Sequence, residues 1–316
     1  MENKVKTAEI DISIVVPLYN EEESLVELSE AIENALSGEF SYEILFIDDG
    51  STDLSFEVIK KLSEKNADIR GISFSHNHGK SVALQAGFEN VRGKYVVTMD
   101  ADLQDDPNEV PEMIMMLKDG LDMVSGWKKE RFDPISKTVP SKFFNYVTRK
   151  AAGIQLHDFN CGLKAYKKEV IENIYLYGEL HRYIPMLAKK EGYSRIGEKV
   201  VKHHPRKYGT TKFGLSRFIN GFLDLITILF VQRYFQKPMH FFGTAGIVLL
   251  LAGTGINSYL AVLRLFFNEG IGGRPLLFLG ILLMVLGIQL LSTGLIGELI
   301  SINHVKKQKP KIREVV

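Results

Sequence analysis

Asp100 and Asp102 flank Ala101 and are followed by Leu103 and Gln104. Two carboxylates at i and i+2, with an amide oxygen two residues on, can turn hard oxygen ligands to one side of a turn. That donor set suits Mg²⁺ or Mn²⁺ bridging a diphosphate. A cation so held would neutralise a nucleoside diphosphate as it leaves. Asp105 and Asp106 come directly after, so by itself the run also reads as a solvated acidic loop. Two more clusters weigh against that alternative. Asp48-Asp49-Gly50-Ser51 offers a carboxylate able to accept from a base N–H, although either aspartate could instead cap a turn before Asp53. Pro17-Leu18-Tyr19-Asn20-Glu21 offers, in Tyr19, a flat face for a nucleobase.

The cations Lys128, Lys129, Arg131, Lys137 and Arg149 follow the acidic run, and any one of them read singly is solvated surface. His203 and His204 have no further His, Cys or carboxylate at ligand spacing, so they do not read as a metal site. The glycines of 270–273 lack a preceding strand and read as a turn rather than a phosphate loop. Cys161 is the single cysteine, which excludes an intrachain disulfide. A formal net charge of +1 gives no sign of a nucleic-acid partner.

Each acidic cluster closes a predicted strand. Ile12–Pro17, Tyr42–Ile47, Ile69–Ser75 and Tyr95–Met99 are short, rich in Val, Ile and Phe, and bounded by turn residues. Between them Glu21–Leu36, Asp53–Lys65 and Lys80–Val91 carry apolar residues at helical spacing, with Asp53 expected to N-cap the second helix. This alternation predicts a doubly wound parallel α/β sheet, whose ligands sit beyond the carboxyl ends of the strands. All three clusters fall at that edge.

The pattern changes near Phe213. Arg217, Asn220, Asp224 and Thr227 make a narrow polar stripe on a greasy helix, which suits an interfacial helix over 213–240; a core helix of the soluble domain is the alternative. Phe241–Leu263 and Pro275–Gly297 carry no charge, and at ~1.5 Å per residue each is long enough for a ~30 Å hydrocarbon core. Lys306, Lys307, Lys309, Lys311 and Arg313 follow, and Arg206, Lys207, Lys212, Arg217, Arg233 and Lys237 precede. By the positive-inside rule both flanks are cytoplasmic and the Gly-rich turn is external. The expected organisation is a cytoplasmic catalytic domain over 1–212, an interfacial region over 213–240, two spans over 241–303 and a basic cytoplasmic tail over 304–316. No apolar leader precedes Asp11.

Taken in order, Pro17–Glu21, Asp48–Ser51 and Asp100–Gln104 resemble glycosyltransferase family 2, and more narrowly dolichyl-phosphate mannose synthases and bacterial polyprenyl-phosphate glycosyltransferases. The resemblance continues through Asp158-Phe159-Asn160-Cys161-Gly162-Leu163-Lys164, His181-Arg182-Tyr183-Ile184-Pro185 and His203-His204-Pro205-Arg206-Lys207-Tyr208-Gly209, covering nearly the whole chain.

The resemblance implies a GT-A domain in which Pro17, Tyr19, Glu21, Asp49 and Asp100 hold the nucleoside diphosphate. It also implies that Asp100, Asp102 and Gln104 hold Mg²⁺ or Mn²⁺, and that Arg206 and Lys212 reach the phosphates from a loop. Asp100, Asp102, Arg206 and Lys212 are the residues expected to act in catalysis. Lys137 and Ser141, with Arg131, are expected near the acceptor phosphate. Lys137 stands where the mannose synthases usually have Arg, and Trp127-Lys128 stands where an Arg often follows; lysine keeps the charge without the bidentate fork.

The implied reaction is inverting transfer of one hexose from a UDP- or GDP-sugar to undecaprenyl or another polyprenyl phosphate at the inner membrane, with glucose and mannose the leading sugars. A lipid phosphate is already an anionic nucleophile and needs no general base. A processive polysaccharide synthase is a rival, but its Gln-x-x-Arg-Trp motif is missing, Trp127 being the single Trp. A non-catalytic membrane scaffold is another, which the complete motifs oppose. The oligomeric state stays open, and a homo-oligomer is compatible with the sequence.

Overall fold

The computed structural model describes residues 10–129, 145, 148–149, 153–205, 207–208, 238–270 and 272–305. The chain divides into two units, Met1–Phe222 and Leu223–Val316.

In the first unit β1 (Ile12–Leu18), β2 (Tyr42–Asp48), β3 (Ile69–Ser73), β4 (Tyr95–Thr98), β5 (Met123–Trp127), β6 (Lys164–Lys167) and β7 (Ile196–Val200) form one sheet in the order β3-β2-β1-β4-β6-β5-β7. All seven residues of β1 are buried, as a central strand covered on both faces requires. The helices are α1 (Leu25–Leu36), α2 (Ser55–Lys65), α3 (Lys80–Asn90), α4 (Val110–Lys118), α5 (Lys168–Glu172) and α6 (Ile184–Lys190). The two-residue period of the strands sorts the core into two layers. Ile12, Ile14 and Val16 belong with Leu28 and Ile32 of α1 and Met113 and Leu117 of α4. Val15, Leu45 and Ile47 belong with Ala83, Leu84 and Phe88 of α3.

The four expected strands are present and pair in parallel. The far half of the sheet departs from the all-parallel expectation. β6 runs antiparallel to both β4 and β5, and β7 then pairs parallel with β5. Because β6 is reversed, the segment leading into it arrives at the carboxyl ends of β4 and β5. That reversal brings 158–163 to the edge where the acidic clusters lie.

Two helix starts also differ from expectation. Residues 21–24 form a turn, with Ser24 N donating to Glu21 O at 3.1 Å, and α1 begins at Leu25. Asp53 is not the N-cap of α2. Its carboxylate accepts from Ser55 N at 2.9 Å and from Glu22 N at 3.3 Å, while Glu22 reaches across to Leu54 N at 2.7 Å. Two acidic side chains from adjacent loops thus share the capping expected of one.

The second unit is a helical hairpin of α7 (Pro238–Phe267) and α8 (Pro275–Val305). At 1.5 Å per residue each is about 45 Å long, more than a hydrocarbon core of about 30 Å. The seam is built from glycines seven apart, Gly246 and Gly253 facing Gly287 and Gly280. A Cβ on Gly246 would fall 2.7 Å from the Gly287 carbonyl, and one on Gly253 2.6 Å from that of Gly280. Many large side chains point outward, Leu251 being 67%, Leu265 78% and Phe278 66% exposed, although Leu260 is fully buried. Residues 209–237 and the tail from 306, which include the expected interfacial stripe, lie outside the described residues.

Candidate active site

The loops after β1 and β2 are laced together at the carboxyl edge. Asn20, in a left-handed conformation at φ 56°, accepts from Thr52 N at 2.8 Å, and its own N–H donates to Ser51 Oγ at 2.9 Å. Glu21 N donates to Ser55 Oγ at 3.0 Å. Pro17 lines a small recess at this edge, and Tyr19 is exposed at the strand end. Asp48 is buried and holds its turn, accepting from Ser51 N at 2.9 Å and Ser73 Oγ at 2.6 Å. Asp49 is buried too. Its two oxygens accept from His78 N at 2.7 Å and Gly79 N at 2.8 Å. The carboxylate expected to meet a base N–H is therefore engaged by the protein's own backbone, and it fixes the loop that leads into α3.

That loop delivers Lys80, the first residue of α3, whose ammonium pairs with the Asp100 carboxylate. Lys80 and Asp100 line the recess with Asn160, Gly162, Lys164, His181 and Arg182. Gly162 is required there, since a Cβ would fall 2.6 Å from the Asp100 carboxylate. Its carbonyl accepts from Thr98 Oγ1 at 2.9 Å, which ties the 158–163 segment to the end of β4. Burial pushes the Asp100 carboxyl up, but Lys80, Lys128 and Lys164 outweigh it and hold the group well below the usual carboxylate range. Lys164 is buried, donates to the Cys161 carbonyl, and is lowered by that burial. His181 is pushed down to about 2 by burial and by the charges of Lys80, Arg182 and Lys164, so it stays a neutral imidazole. Its Nδ1 lies 3.0 Å from Ser81 Oγ.

The rest of the acidic run is not solvated. Asp105 is buried and paired at 2.8 Å with Lys128, whose ammonium is raised by that carboxylate in spite of its burial. Lys128 is thus committed inside the fold, and Arg149 donates to the Leu156 carbonyl at 2.8 Å. His203 forms a bridge with Asp105, and His204 N donates to Gln104 O at 2.9 Å. The histidine pair therefore braces the acidic loop. Gln104 Nε2 faces the His204 carbonyl at 3.4 Å.

Asp100 and Asp102 are partly exposed, and Leu103 between Asp102 and Gln104 turns the chain at φ 59°. Among the described residues no three His, Cys, Asp or Glu side chains gather into a ready cage. Two carboxylates fit a hard cation that draws its remaining ligands from substrate phosphate oxygens and water, which is the habit of Mg²⁺ and Mn²⁺. Pro17 lies near the end of β1, and Tyr19, Glu21, Asp49, Asp100, Asp102 and Gln104 lie on the three loops that meet at this edge. Arg131, Lys137, Ser141, Arg206 and Lys212 lie outside the described residues. No sequence motif assigns a role to Lys80, Lys164 or His181. The signal for Lys80 was its place just past the third strand, on the ligand side of the sheet.

Residues 13–175 match the family model described as glycosyl transferase family 2. The chain is 37% identical over 297 residues to dodecaprenyl-phosphate galacturonate synthase of Rhizobium johnstonii, covering 92% of this chain and 88% of that one. It is 35% identical over 291 residues to undecaprenyl-phosphate 4-deoxy-4-formamido-L-arabinose transferase of Pseudomonas aeruginosa, covering 91% and 84%. Among solved structures it shares its fold with glucosyl-3-phosphoglycerate synthase from Mycobacterium tuberculosis, crystallised with Mn²⁺ and UDP-glucose, at a TM-score of 0.54 and 21% identity over 71% and 79% of the two chains. The chain belongs to glycosyl transferase family 2, among relatives that are polyprenyl-phosphate sugar transferases.

Proposed function

We propose that this enzyme transfers a single hexose, with inversion, from a nucleotide diphosphate sugar to undecaprenyl or another polyprenyl phosphate at the cytoplasmic face of the membrane. The observation that carries this reading is the meeting of Asp100 with Lys80 and Lys164 at the carboxyl edge of the sheet, on the loop that also carries Asp102. An acceptor phosphate oxygen attacks the anomeric carbon from the face opposite the leaving group. The C1–O bond breaks, and its electron pair passes to the β-phosphate. Asp100 and Asp102 would hold Mg²⁺ or Mn²⁺, which supplies positive charge to the leaving diphosphate. Pro17, Tyr19, Glu21 and Asp49 shape the nucleoside end, Arg206 and Lys212 close on the phosphates, and Arg131, Lys137 and Ser141 receive the acceptor. The nucleophile arrives ionised, so its attack needs orientation rather than a base.

UDP-glucose and GDP-mannose are the donors we propose first. The relatives' names, a galacturonate synthase and a formamido-arabinose transferase, widen the choice to modified sugars. The deciding experiment offers the purified protein UDP-glucose, GDP-mannose and a UDP-hexuronate, each with undecaprenyl phosphate and Mg²⁺ or Mn²⁺. Transfer to the lipid phosphate with no transfer to free polyprenol supports the reading, and equal transfer to polyprenol or a soluble sugar overturns it. For the membrane arrangement, a reporter after Val316 is expected in the cytoplasm and one near Gly272 outside. A cytoplasmic signal at Gly272 would mean that α7 and α8 do not cross.

A further inference from the structure

We propose that Lys80 gates the cation site, keeping Asp100 closed to a free divalent cation and releasing it when the cation arrives with the nucleoside diphosphate. The proposal rests on the reading of Asp100 as a metal ligand.

The ammonium of Lys80 pairs with Oδ1 of Asp100, one of the two oxygens that the carboxylate could offer a cation. One carboxylate oxygen does not hold an ammonium and a divalent cation together without placing like charges within a few ångströms. Lys80 must therefore move before that oxygen can ligate, and while it stays its charge opposes a cation on the other one. The structure supplies the means. The backbone below Lys80 is fixed, because buried Asp49 clamps the N–H groups of His78 and Gly79. The side chain itself is 35% exposed and can swing on its four-carbon stem.

The surroundings set what can displace it. Lys164 and Arg182 line the same recess, and Lys128 lies close enough to act on Asp100. A bare dication meets this group of positive charges unfavourably. A cation bound to a diphosphate is an anionic complex overall, and it offers the displaced ammonium phosphate oxygens in exchange for the carboxylate. It also brings the oxygen ligands that two aspartates leave unfilled. Cation and nucleotide are then coupled ligands, each tightening the other by the same factor.

The test follows Mn²⁺ binding by electron paramagnetic resonance in the full-length protein, with and without UDP or GDP. The proteins compared are wild type, Lys80→Met, Lys80→Gln and Lys80→Arg, with Asp100→Asn as the control for the site. Wild type is expected to bind Mn²⁺ weakly alone and more tightly with one of the nucleotides. The two neutral variants should bind Mn²⁺ without nucleotide roughly ten- to a hundredfold more tightly than wild type, since one charge-assisted bond no longer competes. Their gain on adding nucleotide should shrink correspondingly, and Lys80→Arg should keep the wild-type pattern. Unchanged nucleotide-free affinity in both neutral variants, with wild type still binding Mn²⁺ beside nucleotide, overturns the gate alone. No Mn²⁺ binding by any variant with either nucleotide overturns the metal reading and the gate together.

Discussion

The two units of this chain are packed by opposite rules. In the sheet unit the large side chains are inside, with Phe46, Phe159, Tyr166 and Tyr183 among the largest fully buried ones. In the hairpin the inside belongs to Gly246, Gly253, Gly280 and Gly287, with Leu260 the one large side chain among the described residues that is fully buried, while Leu251, Leu265 and Phe278 face out. Water drives apolar surface inward in the first case. A lipid surround removes that drive, and close backbone approach takes its place. The same residue types therefore carry opposite meanings in the two halves, and a substitution scale learned on one half misleads on the other.

The sharpest separation is between chemistry and packing within the sheet unit. Asp102→Asn removes a ligand charge with almost no change in volume, and transfer is expected to fall at least about a hundredfold at an unchanged melting temperature. A chelator should abolish wild-type activity, and Mg²⁺ or Mn²⁺ should restore it. Full activity in chelator would end the metal assignment.

Stability variants then contrast the halves directly. Phe46→Ala should cost about 3–5 kcal/mol through the cavity it leaves. In the hairpin the damaging change is an addition, and Gly287→Leu should cost about 1–3 kcal/mol by prising the seam apart. Leu282→Ala, on the outward face, should stay within about 0.5 kcal/mol. Melting in detergent ranks all three, and a Leu282→Ala cost above that of Gly287→Leu would refute the inverted packing.

A smaller effect lies in the pH dependence. Buried His181 has its folded pKa near 2, against about 6.5 when unfolded. As pH falls below about 6.5 the unfolded chain takes up this proton and the folded one does not, so stability is lost on the acid side. His181→Gln should flatten that slope between pH 6 and 4.5 by about 1.4 kcal/mol per pH unit. An unchanged slope would mean that the imidazole is charged in the fold.

The smallest is a reactivity. Cys161 is buried, its thiol pushed up to about 12 mainly by that burial. A thiol reagent at pH 8 should modify it only on unfolding. Because the hairpin has no cysteine, the label reports the sheet unit alone, and Gly287→Leu should leave its protection intact.

Much of this was legible in the sequence. The first four strands carry their own signal, since short Val- and Ile-rich runs bounded by turns need no distant partner to be recognised. The three acidic clusters could be placed at one edge from the alternation of strands and helices alone. β6 could not, because the four residues Lys164–Lys167 begin and end in lysine and pair only with segments distant in sequence. Asp105 and Asp106 looked solvated for a similar reason. Their burial depends on Lys128 and on the histidines near 203, contacts that no local pattern announces. Lys80 is a lysine at a helix start, a type and place that ordinarily face solvent; only the tertiary fold sets it on Asp100.

The reversed strand β6 also orders events in time. β4 and β5 are not neighbours, and they join only once Lys164–Lys167 has slid between them. A ribosome that has released the chain through Trp127 has released every residue of β5, yet β5 still lacks β6 and β7, its partners on either side. Gly162 and Lys164, which complete the surroundings of Asp100, emerge on that same late segment. Non-local closure of this kind is slow compared with local helix formation. The growing polypeptide thus holds its acidic cluster unfinished until the sheet locks, and the locking residues are made well before the first residue of α7.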